Sequence, residues 1–236
     1  ARTDVENVKI ENLQSFYRKY YQPDNAVLLV AGKFDPATTL ALIQKVFGAI
    51  PKPGRVLQPT YTQDPAQDGA REVTVRRSGD TQLTAVLYHT AAGSHPDAAA
   101  MAALSDVLAG TPNGRLHKKL VENKLAVNVN PWGFDLAERG YLVVMSELNK
   151  TQSLAEARKV LLDEIEGLQK NPVTEAELKR AKASLLNEID KTINDPQRLA
   201  VQLSESIANG DWRLFFLHRD RIENLKVSDL QNVGLN

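Results

Sequence analysis

The sequence predicts an α+β fold in which helices cover a mostly antiparallel sheet, preceded by a shorter helix–strand–helix segment. In the larger part of the chain, strand patterns come first and helical patterns lie between and after them, which is typical of an α+β domain. A proline-rich stretch separates this part from the first 50 residues. The composition is that of a folded protein, since 42% of the residues are hydrophobic and 25% are charged.

The first 50 residues predict a helix, a strand and a second helix. Asp4 can cap a helix over residues 4–20, in which apolar side chains recur at helical spacing. Residues 26–31 are a continuous apolar run after a Pro-Asp-Asn turn signal, which favours a strand at the centre of a sheet. A second amphipathic helix starts at Asp35 and ends at Gly48.

Residues 51–70 are rich in proline, glycine and glutamine and predict a stiff linker, and residues 71–236 predict a second domain. A capping box at Thr174 starts one of the helices of this domain. Its strands are expected over residues 71–77, 82–89, 125–131 and 140–148, of which the last two can pair as antiparallel neighbours. Its helices are expected over residues 96–109, 113–123, 153–169, 174–193, 196–209 and 212–224.

Charge and hydropathy argue against several classes of partner. Lysine plus arginine and aspartate plus glutamate number 29 each, so no net field attracts nucleic acid or an acidic membrane. The apolar stretches are far too short to span a bilayer. The absence of cysteine excludes disulfides, thiolate metal sites and a cysteine nucleophile. It leaves the compartment open among periplasmic, secreted and cytosolic.

Several stretches, in order along nearly the whole chain, match signature passages of one family. They are FYRKYYQPDNA over residues 16–26 followed by VAGKFD over 30–35, GRLHKKLVE over 114–122, and VTEAELKRAK over 173–182. The chain thereby resembles the insulinase and pitrilysin family of zinc metallopeptidases. The resemblance implies a metallopeptidase-like α+β fold, in which residues 1–50 end a catalytic-type domain and residues 71–236 form the following non-catalytic domain. Two such domains form half of a hollow shell that encloses peptides.

The chemistry of this family requires the motif H-x-x-E-H on a helix, which supplies two zinc ligands and a general base. This sequence lacks the motif, so no catalytic residue and no metal ligand can be carried over, and we expect no cofactor in this chain. Zinc is expected in the full-length parent, and this chain is predicted to be inactive alone. His89 and His95 could be considered a metal pair, but a structural role is favoured because no third ligand lies nearby in sequence.

Candidate substrate contacts are few. The resemblance places an arginine and a tyrosine that contact substrate in the family's final domain at Val121 and Val127, so both are missing here. Arg115 follows Gly114 in a family-like position and is the one possible substrate or interdomain contact, although an arginine at a helix start is more often a surface or interface residue. The aromatic residues around Trp132 and Trp212 could bind peptide, but core packing or contact with another domain is favoured.

The leading hypothesis is a non-catalytic portion of a zinc-dependent endopeptidase that helps form the peptide-enclosing chamber. Its partners would be the remaining domains of the parent and a peptide or protein substrate, with no nucleic acid and no membrane. One alternative is an inactive homologue that acts as a structural or partner subunit. Another is a peptide-binding module that adds an extended peptide to an exposed sheet edge. A periplasmic or secreted parent is compatible with the sequence.

Overall fold

The computed structural model describes residues 2–58 and 65–235. The chain divides into two compact units, Ala1–Val75 and Arg76–Asn236. The predicted division into residues 1–50, 51–70 and 71–236 stays a prediction, and part of the predicted linker lies outside the described residues. Within the described ranges, no helix is both long enough and apolar enough to cross a bilayer.

Among its described residues, the first unit contains three α-helices and one short 3-10 helix, Pro23–Asn25; the α-helices are α1 (Arg2–Asn7), α2 (Ile10–Tyr20) and α3 (Pro36–Phe47). The helix predicted over residues 4–20 is therefore broken before Ile10. The helix predicted from Asp35 is confirmed, and the Asp35 carboxylate accepts a hydrogen bond from the Thr38 N–H at 2.8 Å as its N-terminal cap.

The strand predicted over residues 26–31 does not form in the first unit. Ala26 has extended backbone angles, but residues 26–31 have no partner strand among the described residues. A strand is stabilised by hydrogen bonds to a neighbour, so an apolar run alone is not sufficient. Beyond it, Arg55 makes a two-pronged ion pair with Asp24, with N···O distances of 3.0 and 3.3 Å, which ties the start of the predicted linker to the first unit.

In the part of the chain that the structure describes, the second unit has three strands, β1 (Thr81–Ala92), β2 (Asn128–Phe134) and β3 (Arg139–Asn149), in the order β1-β3-β2. Both pairings are antiparallel, which confirms the predicted pairing of the last two strands. The strand predicted over residues 71–77 does not form, for the same reason as residues 26–31. Because β3 is central, β1 and β2 are the edges of this sheet.

Helices fill the rest of the second unit. The helix predicted over residues 113–123 is a wide π-helical turn, His117–Glu122, and a 3-10 turn, Glu166–Gln169, follows α5. One helix near the C-terminus was not predicted from the sequence. The α-helices are α4 (Ala98–Ala109), α5 (Leu154–Ile165), α6 (Glu175–Ile193), α7 (Pro196–Ala208), α8 (Leu214–Asn224) and the missed α9 (Val227–Leu235).

The hydrophobic core of the second unit lies between one face of the sheet and the helices. Alternate residues of β3 point inward, and Leu142, Val144 and Leu148 are buried against α4, α5, α6 and α9. Gly140 allows β2 to approach, because a Cβ there would lie 2.0 Å from the Phe134 carbonyl oxygen. The helices that contribute to this core pack on the face of the sheet that carries Leu142, Val144 and Leu148, which we call the inner face.

The other face of the sheet, which we call the outer face, consists of four rows of three residues that lie opposite one another across β1, β3 and β2. The row at Leu83 contains a carboxylate and an amide, and the other three rows are largely apolar. In order along β1, the rows are Leu83, Glu147 and Asn128; Ala85, Met145 and Asn130; Leu87, Val143 and Trp132; and His89, Tyr141 and Phe134.

Candidate functional site: an arginine cluster in the second unit

Arg115 uses all five of its N–H donors within the second unit. Its Nε and Nη2 donate to the two carboxylate oxygens of Glu177, each at 2.7 Å. Nη1 donates to the Asn171 carbonyl oxygen at 2.7 Å and to Glu164 Oε1 at 3.3 Å, and Nη2 also donates to the Pro172 carbonyl oxygen at 2.8 Å. This two-pronged geometry is the strongest form of arginine–carboxylate pairing.

Local sequence explains why Arg115 points at these acceptors. A Cβ on Gly114 would lie 2.6 to 2.8 Å from backbone atoms at the end of α4, so only glycine permits this close approach. Leu116 and Leu120 are fully buried and anchor the wide turn on the core. Arg115 lies between Gly114 and the buried Leu116, and its side chain reaches the start of α6, where it contacts Glu177.

Glu177 belongs to two interactions at once. The Thr174 N–H and hydroxyl donate to Glu177 Oε2 at 2.9 and 2.8 Å, which confirms the predicted capping box at the head of α6. The hydrogen bonds from Arg115 lower the pKa of Glu177 to about 2; burial opposes this shift, and the bonds from Thr174 add to it. The hydrogen bond to Glu177 likewise raises the pKa of Arg115, which keeps this pair ionised.

Glu164 is the buried acidic member of the cluster. Only 3% of this residue is exposed, and its two carboxylate oxygens contact Arg115 Nη1 and Lys119 Nζ. A buried carboxylate needs such partners, because an isolated one would have a large desolvation penalty. Arg115, Lys119, Glu164 and Glu177 together connect the wide turn, α5 and α6. We call these four residues the arginine cluster.

A small cavity lies beside the arginine cluster. Its volume is about 60 Å³. Burial raises the pKa of Asp106 in its wall, and the Ser184 hydroxyl donates to Asp106 Oδ1 at 3.4 Å. Its lining residues are Asp106, Val107, Gly110, Thr111, Asn113, Glu177, Arg180 and Ser184.

Arg115 was predicted from the sequence as a contact residue, but its acidic partners were not. Glu164 could have been noticed, because it interrupts the apolar face of α5 between Leu161 and Ile165, where a charged residue is unusual. Glu177 was recognised as part of a capping box, and nothing in the sequence indicated a second partner. The prediction that Arg115 contacts a substrate or another domain stays a prediction.

Val121 and Val127, which the resemblance places where substrate contacts were expected, lie in different environments. Val121 is partly buried and packs against the core. Val127 is exposed, and its N–H donates to the Glu147 carbonyl oxygen at 2.8 Å.

The histidines lie in different environments. His89 is exposed on the outer face, and the exposed His95 accepts a hydrogen bond at Nδ1 from the Asp97 N–H at 3.2 Å. Burial lowers the pKa of His218 in α8. Across the parts of the chain that the structure describes, no three His, Cys, Asp or Glu side chains are close enough together to hold a metal ion.

Aromatic residues are split between the interior and the surface. Phe215 is buried, whereas Trp132, Phe134 and Trp212 are exposed over about half of their surface. Phe134 stacks on Tyr141 with 4.5 Å between ring centres. Core packing is therefore observed for Phe215 among these four residues, and the predicted alternative for the other three, contact with another domain, stays a prediction.

Comparison with known proteins identifies the family. The family model described as "Peptidase M16 inactive domain" matches residues 7–185. The zinc protease PqqE of Helicobacter pylori is 27% identical over 98% of this chain and 53% of its own length. A crystal structure of a protease from the same species is 26% identical, has a TM-score of 0.91, and is matched over 98% of this chain and 56% of that chain.

A shorter relative covers about two thirds of this chain. The inactive peptidase domain of a candidate zinc protease from Bordetella parapertussis is 38% identical, with a TM-score of 0.62, over 69% of this chain and 87% of that chain. This chain thus spans about half the length of the curated relatives that it matches. Because the family model covers most of the sequence, the chain belongs to the M16 peptidase family and corresponds to its inactive domain.

Proposed function

We propose that this chain is the non-catalytic portion of a zinc-dependent endopeptidase and helps form a peptide-enclosing chamber in its parent. The observation that carries the proposal is the match of residues 7–185 to an inactive domain whose relatives are named zinc proteases. The chain covers 53% of the Helicobacter relative, which leaves room for a catalytic half of similar size in the parent. Zinc and the catalytic base would belong to that half.

The arginine cluster supports a role as a rigid wall. Arg115 donates five hydrogen bonds to Glu164, Glu177 and two backbone carbonyls, and so connects the wide turn, α5 and α6. Fixed geometry is what a chamber wall requires, since the position of a bound peptide depends on it. The cluster itself performs no chemistry in this proposal.

The remaining partners follow from the same proposal. The parent would contact a peptide or protein substrate, and the other domains of the parent would contact this chain. We also propose that the parent is periplasmic or secreted. A periplasmic protease, PqqL of Escherichia coli, shares the fold at 16% identity with a TM-score of 0.67, which is a likeness of fold alone.

The decisive experiment compares this chain with its full-length parent. Zinc content is measured by atomic emission, and cleavage is measured on a mixed-peptide substrate with and without a chelator. We expect stoichiometric zinc and chelator-sensitive cleavage in the parent only. Stoichiometric zinc in this chain would overturn the proposal and return attention to His89 and His95. A parent without zinc would favour the alternative of an inactive homologue that acts as a structural subunit.

A further inference from the structure

The dipeptide Asn-Gly is the pair of residues in which a side-chain amide reacts most readily with its own backbone. The nitrogen of the glycine attacks the side-chain carbonyl carbon of the asparagine, and no Cβ on the glycine obstructs the approach. The pair occurs twice in this chain, at Asn113 with Gly114 and at Asn209 with Gly210. Because the attack requires the peptide between the two residues to rotate, the surroundings of the glycine decide whether it occurs in the folded protein.

Gly114 is held in place by the structure around it. It is buried, and a Cβ at this position would lie 2.6 to 2.8 Å from backbone atoms of Gly110 and Ala109. Its N–H donates to the Gly110 carbonyl oxygen at 2.5 Å, and its carbonyl oxygen accepts from the Lys118 N–H at 3.2 Å. Rotation of the peptide before Gly114 would break these hydrogen bonds and separate packed backbone. The side chain of Asn113 is exposed, but its nucleophile is therefore fixed.

Gly210 has far more freedom. It is exposed in the turn between α7 and α8, and its φ is +125°. Among the described residues, nothing beyond its chain neighbours lies within 4 Å of the place that a Cβ would occupy. Its N–H donates to the Ile207 carbonyl oxygen at 3.0 Å, in the last turn of α7. Helix ends open at little cost in free energy, so the peptide between Asn209 and Gly210 can rotate.

The side chain of Asn209 connects three segments of the second unit. Its Nδ2 donates to the Asp135 carbonyl oxygen at 3.2 Å, in the turn between β2 and β3. A Cβ on Gly93, in the loop after β1, would lie 3.2 Å from the same nitrogen. The Gly93 N–H donates to the Leu136 carbonyl oxygen at 2.9 Å. We call these four residues, Gly93, Asp135, Leu136 and Asn209, the Asn209 joint.

We propose that Asn209 is a site of spontaneous deamidation that loosens the Asn209 joint, whereas the fold protects Asn113. The Gly210 nitrogen bonds to Asn209 Cγ, the bond from Cγ to Nδ2 breaks, and ammonia leaves with the proton that the Gly210 nitrogen gives up. One water molecule then opens the cyclic imide to aspartate or isoaspartate. Either product has a carboxylate in place of the amide, so the donor to Asp135 is lost and a negative charge replaces it.

The first test compares the two asparagines in one sample. The intact chain is incubated at mildly alkaline pH, where backbone nitrogens lose their protons more often, and deamidation is followed by peptide mass spectrometry. We expect Asn209 to react at least about fivefold faster than Asn113, since local opening is easier at a helix end than in packed backbone. Equal rates, or a faster reaction at Asn113, would overturn the proposal.

The unfolded chain is the matched control for the first test. In guanidinium chloride both pairs are Asn-Gly in a flexible backbone, and we expect the two rates to agree within about twofold. A preference for Asn209 that persists unchanged in the denaturant would show that neighbouring residues set the rate, which would overturn the protection of Asn113 by the fold.

The second test measures the joint itself. Asn209→Asp reproduces one product, and Asn209→Gln keeps an amide donor at this position. Hydrogen exchange of the Gly93 N–H reports on its bond to Leu136, and we expect it to be about tenfold faster in Asn209→Asp and within about threefold of the unaltered chain in Asn209→Gln. Unaltered exchange in Asn209→Asp would overturn the loosening, and equally fast exchange in both variants would overturn the role of the lost donor.

Discussion

The two units differ in how they use their apolar side chains. The second unit buries a contiguous core, with residues such as Leu108, Leu161 and Leu230 at most 1% exposed. In the first unit no described residue is buried, and Phe16 and Leu40 are exposed over more than half of their surface. A domain is stable when its apolar burial outweighs lost conformational entropy. We therefore expect the second unit to fold by itself, whereas the described residues of the first unit bury too little apolar surface to do so.

The largest expected effect is the loss of one unit under limited proteolysis. A protease of broad specificity should cut first within residues 51–70, because exposed small and polar residues such as those at 65–70 are preferred sites, and a fragment near residues 71–236 should persist. Gel electrophoresis with mass spectrometry measures the fragments. Early cleavage inside residues 71–236 would contradict the predicted division.

A matched pair of leucine substitutions tests the same comparison energetically. Leu161→Ala removes a fully buried side chain of the second unit and should lower the free energy of unfolding by about 2–5 kcal/mol. Leu40→Ala, at a site that is 65% exposed, should change it by less than about 0.5 kcal/mol. Urea unfolding followed by tryptophan fluorescence suits the test, since Trp132 and Trp212 both lie in the second unit. Equal effects would remove the distinction between the units.

The arginine cluster should contribute to the stability of the second unit almost as much as a core leucine. Arg115→Met leaves the buried Glu164 with one cationic partner and should destabilise the unit by about 3 kcal/mol in urea unfolding. Arg115→Lys should recover only part of this, because an ammonium cannot bind both carboxylate oxygens in the same planar geometry. Lys118→Met, an exposed neighbour, is the control, and a loss as large as that of Arg115→Met would contradict the assignment.

The smallest expected effect is a pH dependence from Glu177. Its pKa falls from an ordinary 4.5 to about 2 on folding, so its contribution is complete above pH 4.5 and is lost as the pH falls toward 2. Comparison with Glu177→Gln should show a stability difference that shrinks over this window, by on the order of 1 kcal/mol after solvent screening. Glu175→Gln, on the same helical turn, is the exposed control. A difference that is constant with pH would contradict the paired state of Glu177.

Sequence patterns predicted elements of both units where a local signal defines them. The capping box at Thr174 and the antiparallel pairing of β2 with β3 in the second unit, and the helix from Asp35 in the first, are confirmed by the structure. The strand expected over residues 26–31 failed, since its stability requires a neighbour that no local pattern contains. The helix α9 was missed because its polar residues give only a short apolar stripe.

The candidate site was predictable only in part. Arg115 stood out through its family-like position, whereas its partners lie 49 and 62 residues farther along the chain. An ion pair over such separations is formed by tertiary packing, so propensity and spacing cannot indicate it. A charged residue inside the apolar stripe of α5 was the one available signal for Glu164.

The edge position of β1 has a consequence for handling the protein. Its 12 residues include no proline, lysine, arginine, aspartate or glutamate, the residues by which natural edge strands resist pairing with other chains. The unpaired backbone groups along this edge offer a template for a strand from a neighbouring molecule. We therefore expect concentrated solutions of the isolated chain to aggregate by edge-to-edge association, and one lysine placed at an outward position of β1 to improve its solubility.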